Sequence, residues 1–137
     1  MAINLDTKYE NKLAVTIGGK DYDILLNDKF VYDTQHTVLV VNKLQDKLDK
    51  MSEDDFAKMS LEEQEKFADD IFADMRKEIV SFFDKFLGDS EGERLYKYYN
   101  EDTEALGYVL GQLNKLAGNK QKSHRANKRK EYMNNKR

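Results

Sequence analysis

With 137 residues, 39% apolar, 11% aromatic and 36% charged, the chain has the size of one domain and enough apolar residues to bury roughly two thirds of its unfolded surface. The charged fraction exceeds the roughly 25% of an average globular domain, so a modest core inside a highly charged surface is expected. The lack of cysteine excludes a disulfide framework, thiol catalysis and cysteine-rich zinc sites, while zero prolines and seven glycines favour long helices.

The net charge of −3 is unevenly spread. Residues 118 to 137 hold eight Lys/Arg and one acid, whereas the preceding residues hold 15 basic and 25 acidic side chains. An acidic body with a basic tail follows. The opening Met-Ala-Ile-Asn-Leu-Asp carries no basic flank, and the longest apolar run, Val38-Leu39-Val40-Val41, is far short of about 20 residues. The expectation is a cytosolic protein with no membrane span.

Residues 12 to 26 read as a β-hairpin. Leu13, Val15 and Ile17 alternate, Gly18-Gly19 follows, and Tyr22, Ile24 and Leu26 alternate again. A two-residue turn would set Val15 opposite Tyr22 and Leu13 opposite Ile24, giving one apolar face that needs covering by helices. A helix over residues 34 to 50 is expected next, capped by Asp33 or Thr34, with Val38, Val41, Leu44 or Gln45, and Leu48 as its stripe. Ser52 with Asp55 marks a short helical turn. Ser60 with Glu63 then forms a capping box for a helix over 61 to 87.

That helix has the strongest periodicity, through Ala68, Ile71, Phe72, Met75, Ile79, Phe82, Phe83 and Phe86, with Gly88 expected as a left-handed stop. At about 40 Å it is longer than the body needs, so part of it is expected to project. Ser90 with Glu93 predicts a cap for a short helix over 91 to 99. A last helix over 102 to 117 carries Leu106, Val109, Leu110, Leu113 and Leu116 and is expected to stop at Gly118. Gly107 and Gly111 inside it predict a close backbone approach. Residues 119 to 137 lack an apolar stripe and read as a flexible basic tail, frayed or at most a solvated helical extension. The fold class is therefore mainly α: one α-rich domain over residues 1 to 118, a small helical bundle with a short N-terminal β-hairpin, followed by the tail.

Catalytic constellations are sparse. Asp54-Asp55 and Asp69-Asp70 are adjacent acids whose side chains diverge by about 100° on a helix, which reads as a solvated face. His36 and His124 form no metal-binding pair, neither lies near a nucleophile elbow, and Gly18-Gly19 is explained by the hairpin. Neither an enzyme, a cofactor nor a metal is expected. Aromatics concentrate between Phe67 and Tyr99, and Phe82 and Phe83 cannot both face one narrow seam. Phe82, Phe83 and Phe86, with Leu106, Leu110 and Leu113, are the candidates for core or partner contact. The alternative is nucleic-acid binding by the tail, through Lys120, Lys122, Arg125, Lys128, Arg129 and Lys130.

The hairpin, the acidic helical middle with Phe82-Phe83-Asp84-Lys85-Phe86-Leu87-Gly88, the Gly92-Glu93-Arg94-Leu95-Tyr96 element and the closing helix before a Lys-rich tail form a recognisable order. Over residues 10 to 118 it resembles the small tail assembly chaperones of long-tailed phages and prophages of Gram-positive bacteria. The resemblance implies a mostly helical, non-enzymatic protein of the host cytoplasm, absent from the finished virion. It further implies binding to the tape-measure protein, recruitment of the major tail-tube protein, self-association into multimers and a longer frameshifted product diverging near the basic tail.

Overall fold

In a computed structural model, the structure describes residues 2–5 and 11–135, with side chains as far as residue 120. Strands β1 (Lys12–Ile17) and β2 (Lys20–Leu25) pair antiparallel, with Val15 opposite Tyr22 and Leu13 opposite Ile24, as the alternation requires. Gly18 and Gly19 take φ of 59° and 74°, the two left-handed residues of a type I′ turn. Among the described residues five helices follow: α1 (Asp28–Asp49), α2 (Glu53–Ala57), α3 (Leu61–Leu87), α4 (Glu91–Tyr98) and α5 (Thr103–Asn135). Both expected serine caps before α2 and α3 are present. Ser52 Oγ accepts from the Asp55 amide and Ser60 from that of Glu63, whose carboxylate returns to the Ser60 amide.

Helix α1 begins six residues before the expected Thr34. Asn27 is its cap, its side chain accepting from the Phe30 amide, and this start lets Phe30 and Val31 enter the core. Thr34 is instead fully buried, its hydroxyl donating to the Phe30 carbonyl, and Asp33 faces Lys85 with Nζ 2.7 Å from Oδ2. Polar residues read as a cap are thus interior to the helix.

The junction between α3 and α4 also departs from expectation. Gly88 has φ 126° with extended ψ, not the compact left-handed stop, and Ser90 itself is left-handed at φ 66° with no side-chain cap bond. Its job is done from the previous helix: Asp84 Oδ1 accepts from the Gly92 amide at 2.8 Å. At α5, Gly118 does not stop the helix, and the backbone stays helical to Asn135. A single glycine costs only about 1 kcal/mol in a helix, and the proline-free run after it contains mostly good helix formers. The basic segment therefore takes the helical-extension form along its described backbone.

The core forms where α1, α3 and α5 pack against one another and α4 closes on α3. This packing of several helices takes up both Phe82 and Phe83, which a single narrow seam could not. Phe82 meets Phe83 edge-to-face at 5.6 Å and Phe86 at a tilt at 4.9 Å, and Phe86 and Phe30 meet edge-to-face at 5.7 Å. Ile17 and Ile24 from the hairpin, Leu95 from α4, and Leu106, Leu110, Leu113 and Ala117 from α5 complete it. Along α3 this cluster begins at Ile79, so the first half of the helix extends past it.

The glycines in close approach are not those expected. A Cβ at Gly107, Gly111 or Gly118 would meet nothing within 4 Å, whereas one at Gly92 would overlap the Val80 carbonyl. Gly92→Ala should therefore destabilise the fold by about 1–3 kcal/mol, while Gly107→Ala or Gly111→Ala should stabilise it by up to about 1 kcal/mol. Urea denaturation midpoints of the three variants check this.

Candidate partner-binding surface

Glu91, at the first turn of α4, holds the hairpin in place. Its Oε1 accepts from Lys20 Nζ at 2.8 Å, and its Oε2 accepts from Arg94 Nε at 2.8 Å and from the Tyr22 hydroxyl at 2.5 Å. Arg94 then donates to the Tyr22 oxygen at 2.6 Å and to the Gly18 carbonyl at 3.0 Å, while the Gly18 amide donates to the Tyr99 hydroxyl. The bonds from Lys20, Tyr22 and Arg94 hold the Glu91 carboxyl down at about 2. Burial, followed by the bond to Glu91, pushes the Tyr22 phenol up, and the bond to Glu91 raises Arg94. A satisfied cluster of this kind positions the strands and contains no free nucleophile.

Clamped in this way, β1 lies beside α5. Val15, Thr16 and Ile17 form one wall of an open, largely apolar groove, and Val109, Gln112, Leu113 and Leu116 form the other, with Tyr99 closing one end.

A second surface lies on the α1–α2–α3 arm. Residues 46 to 78 carry twelve Asp/Glu against six Lys/Arg. Among these charges Leu61 and Phe72 remain in solvent, 71% and 44% exposed, and Leu39, outside this stretch on α1, is 61% exposed. At the α1–α2 end, Leu48, Met51 and Phe56 line a shallow depression beside Glu53.

The residues singled out from sequence fall elsewhere. Phe82, Phe83, Leu106, Leu110 and Leu113 are buried in the core, and Phe86 packs half-buried at its edge. Sequence periodicity marks an apolar stripe without telling whether this chain or a partner covers it. Leu39 was missed because it lies off the stripe of α1, and Leu61 because it lies in line with Ile79 five turns further on, at the end of α3 that runs past the core, where periodicity alone does not separate it from a core residue. Asp54, Asp55, Asp69 and Asp70 are exposed, and His36 is exposed and stacked on Tyr32 at 6.0 Å. Among the described residues no group of three or more His, Cys, Asp or Glu could hold a metal ion. Lys120 is half-buried and engaged in an interaction, while the side chains of His124 and of Lys122, Arg125, Lys128, Arg129 and Lys130 lie outside the described residues. No helix among the described residues is long and apolar enough to cross a membrane.

Comparisons with protein-family models, with curated proteins and with solved structures find no match for this chain.

Two outcomes test the geometry. Because the Glu91 carboxyl is held at about 2 against an ordinary 4.5, its contribution to stability is complete above pH 4.5 and is lost as the pH falls towards 2. Glu91→Gln should remove that part of the pH dependence, read from urea midpoints between those limits. Phe83→Ala should cost about 3–5 kcal/mol as a core cavity, read by thermal denaturation.

Proposed function

We propose that this chain is an assembly chaperone of a long-tailed phage or prophage, a binding protein and not an enzyme, that keeps the tape-measure protein soluble and presents it to tail-tube subunits. The observation that carries this reading is the arm on which Leu61 and Phe72 stay exposed within a strongly acidic stretch, with Leu39 exposed on α1. The segments 82 to 88 and 92 to 96, which carry the resemblance, add to it. The tape measure of such tails is a very long helical protein with apolar stripes. Laying an acidic arm along such a stripe removes apolar surface from water on both partners while the carboxylates stay outside and repel other complexes.

The magnitudes favour several copies on each partner. A buried leucine or phenylalanine contributes about 1.5–3 kcal/mol, and association costs about 4–15 kcal/mol in lost freedom. Three anchors per chain give weak binding alone, so tight coverage comes from chains bound side by side along a long partner, which fits the self-association that the resemblance implies. In this reading the complex forms in the host cytoplasm and the chaperone leaves before the tail is finished.

Co-expression with the tape-measure protein of the same genome, followed by co-purification at low and high salt, is the test. A soluble complex that survives high salt is expected. Leu39→Gln combined with Leu61→Gln should weaken it at least tenfold, equivalent to about 1.4 kcal/mol, with an unchanged melting temperature. Removal of residues 119–137 should leave it intact. Absence of a complex, together with salt-sensitive retention of nucleic acid by the full chain, would replace this reading with binding through the basic segment.

A further inference from the structure

The groove between β1 and α5 has a feature that the proposed chaperone role does not use. Val15 and Ile17 point to the core side of the hairpin and Thr16 to the other, yet all three line the groove. A groove touching consecutive residues of a strand runs along its edge and not beneath its face. The sheet has only β1 and β2 among the described residues, so that edge of β1 is unpaired. An unpaired edge flanked by Val109, Leu113 and Leu116 fits one more extended segment, with backbone bonds to β1 and apolar side chains on α5.

We propose that residues 2–5 of the same chain, Ala-Ile-Asn-Leu, occupy this groove as a third strand, exchanging with a position in which Asn4 is engaged while Ile3 and Leu5 are 83% and 87% exposed. Three observations choose this occupant. Ile3 and Leu5 recur with period two, so both share one side of a strand, and a register that sets Ile3 opposite Ile17 and Leu5 opposite Val15 turns that side towards α5. Seven residue steps from Leu5 to Lys12 span up to about 25 Å, enough for a return antiparallel to β1. A tether of this length gives an effective concentration near the millimolar range, which outcompetes the same segment of a second copy at micromolar protein. Docking would also relieve the weakness of a two-stranded sheet.

The chain has no cysteine, so Ile3→Cys with Gln112→Cys introduces the only two thiols, both at exposed positions. At micromolar protein the full-length double variant should form an intramolecular disulfide at least tenfold faster than a control pair of Ile3→Cys with Glu62→Cys, read by mass spectrometry and non-reducing electrophoresis. Deletion of residues 2–5 should in addition speed hydrogen exchange of the β1 amides that do not bond to β2. Disulfide-linked dimers as the main product would overturn the proposal in favour of exchange between copies. Oxidation no faster than the control, with β1 exchange unchanged by the deletion, would overturn it outright. Neither readout involves a tape-measure protein, so the result is independent of the proposed function.

Discussion

A two-stranded hairpin does not hold its shape in water by its own bonds, and in this protein a single carboxylate makes it part of the fold. Glu91 gathers the ammonium of Lys20, the phenol of Tyr22 and the guanidinium of Arg94, and Arg94 passes the connection on to the Gly18 carbonyl. Any one exposed ion pair contributes little. Here the donors come from the hairpin and from α4 and meet on one acceptor, so the bonds fix the relative position of two elements far apart in sequence. With the turn seated in this way, Ile17 and Ile24 can close over Leu95, and the edge of β1 comes to lie beside α5.

Helix α3 is the other organising element. Its last two and a half turns carry the aromatic cluster that contacts every layer, and its first half runs beyond that cluster with few buried side chains. The C-terminal half stabilises the chain, and the N-terminal half, with the facing part of α1 and with α2, provides surface that is acidic yet still apolar in places. Exposed leucines cost solubility, and the many carboxylates of residues 46 to 78 offset that cost. The basic charge sits apart, on the continuation of α5 beyond the core.

Much of this was legible in the residues. The hairpin register, the Ser52 and Ser60 caps, and the limits of α3 depend on neighbours within four positions, and local chemistry decides such features. Where the reading missed, a distant group had intervened. Ser90 looked like a cap, but Asp84 from the preceding helix takes the Gly92 amide. Thr34 looked like a cap, but Asn27 starts the helix earlier so that Phe30 reaches the core. The glycines that need to be glycine are Gly92 and the turn pair, not Gly107 and Gly111.

By itself the amino-acid sequence determined the class of fold, a mainly helical chain with an N-terminal hairpin, because periodicity, caps and turn residues act over short range. It also determined the separation of acidic and basic charge. Only the tertiary structure decided which apolar residues the chain keeps for itself. Phe82, Phe83 and Phe86 with Leu106, Leu110 and Leu113 are used up in the core, whereas Leu39, Leu61 and Phe72 are left in solvent. A stripe on one helix is the same whether its cover is internal or external, and the answer depends on how many helices the fold brings to each flank.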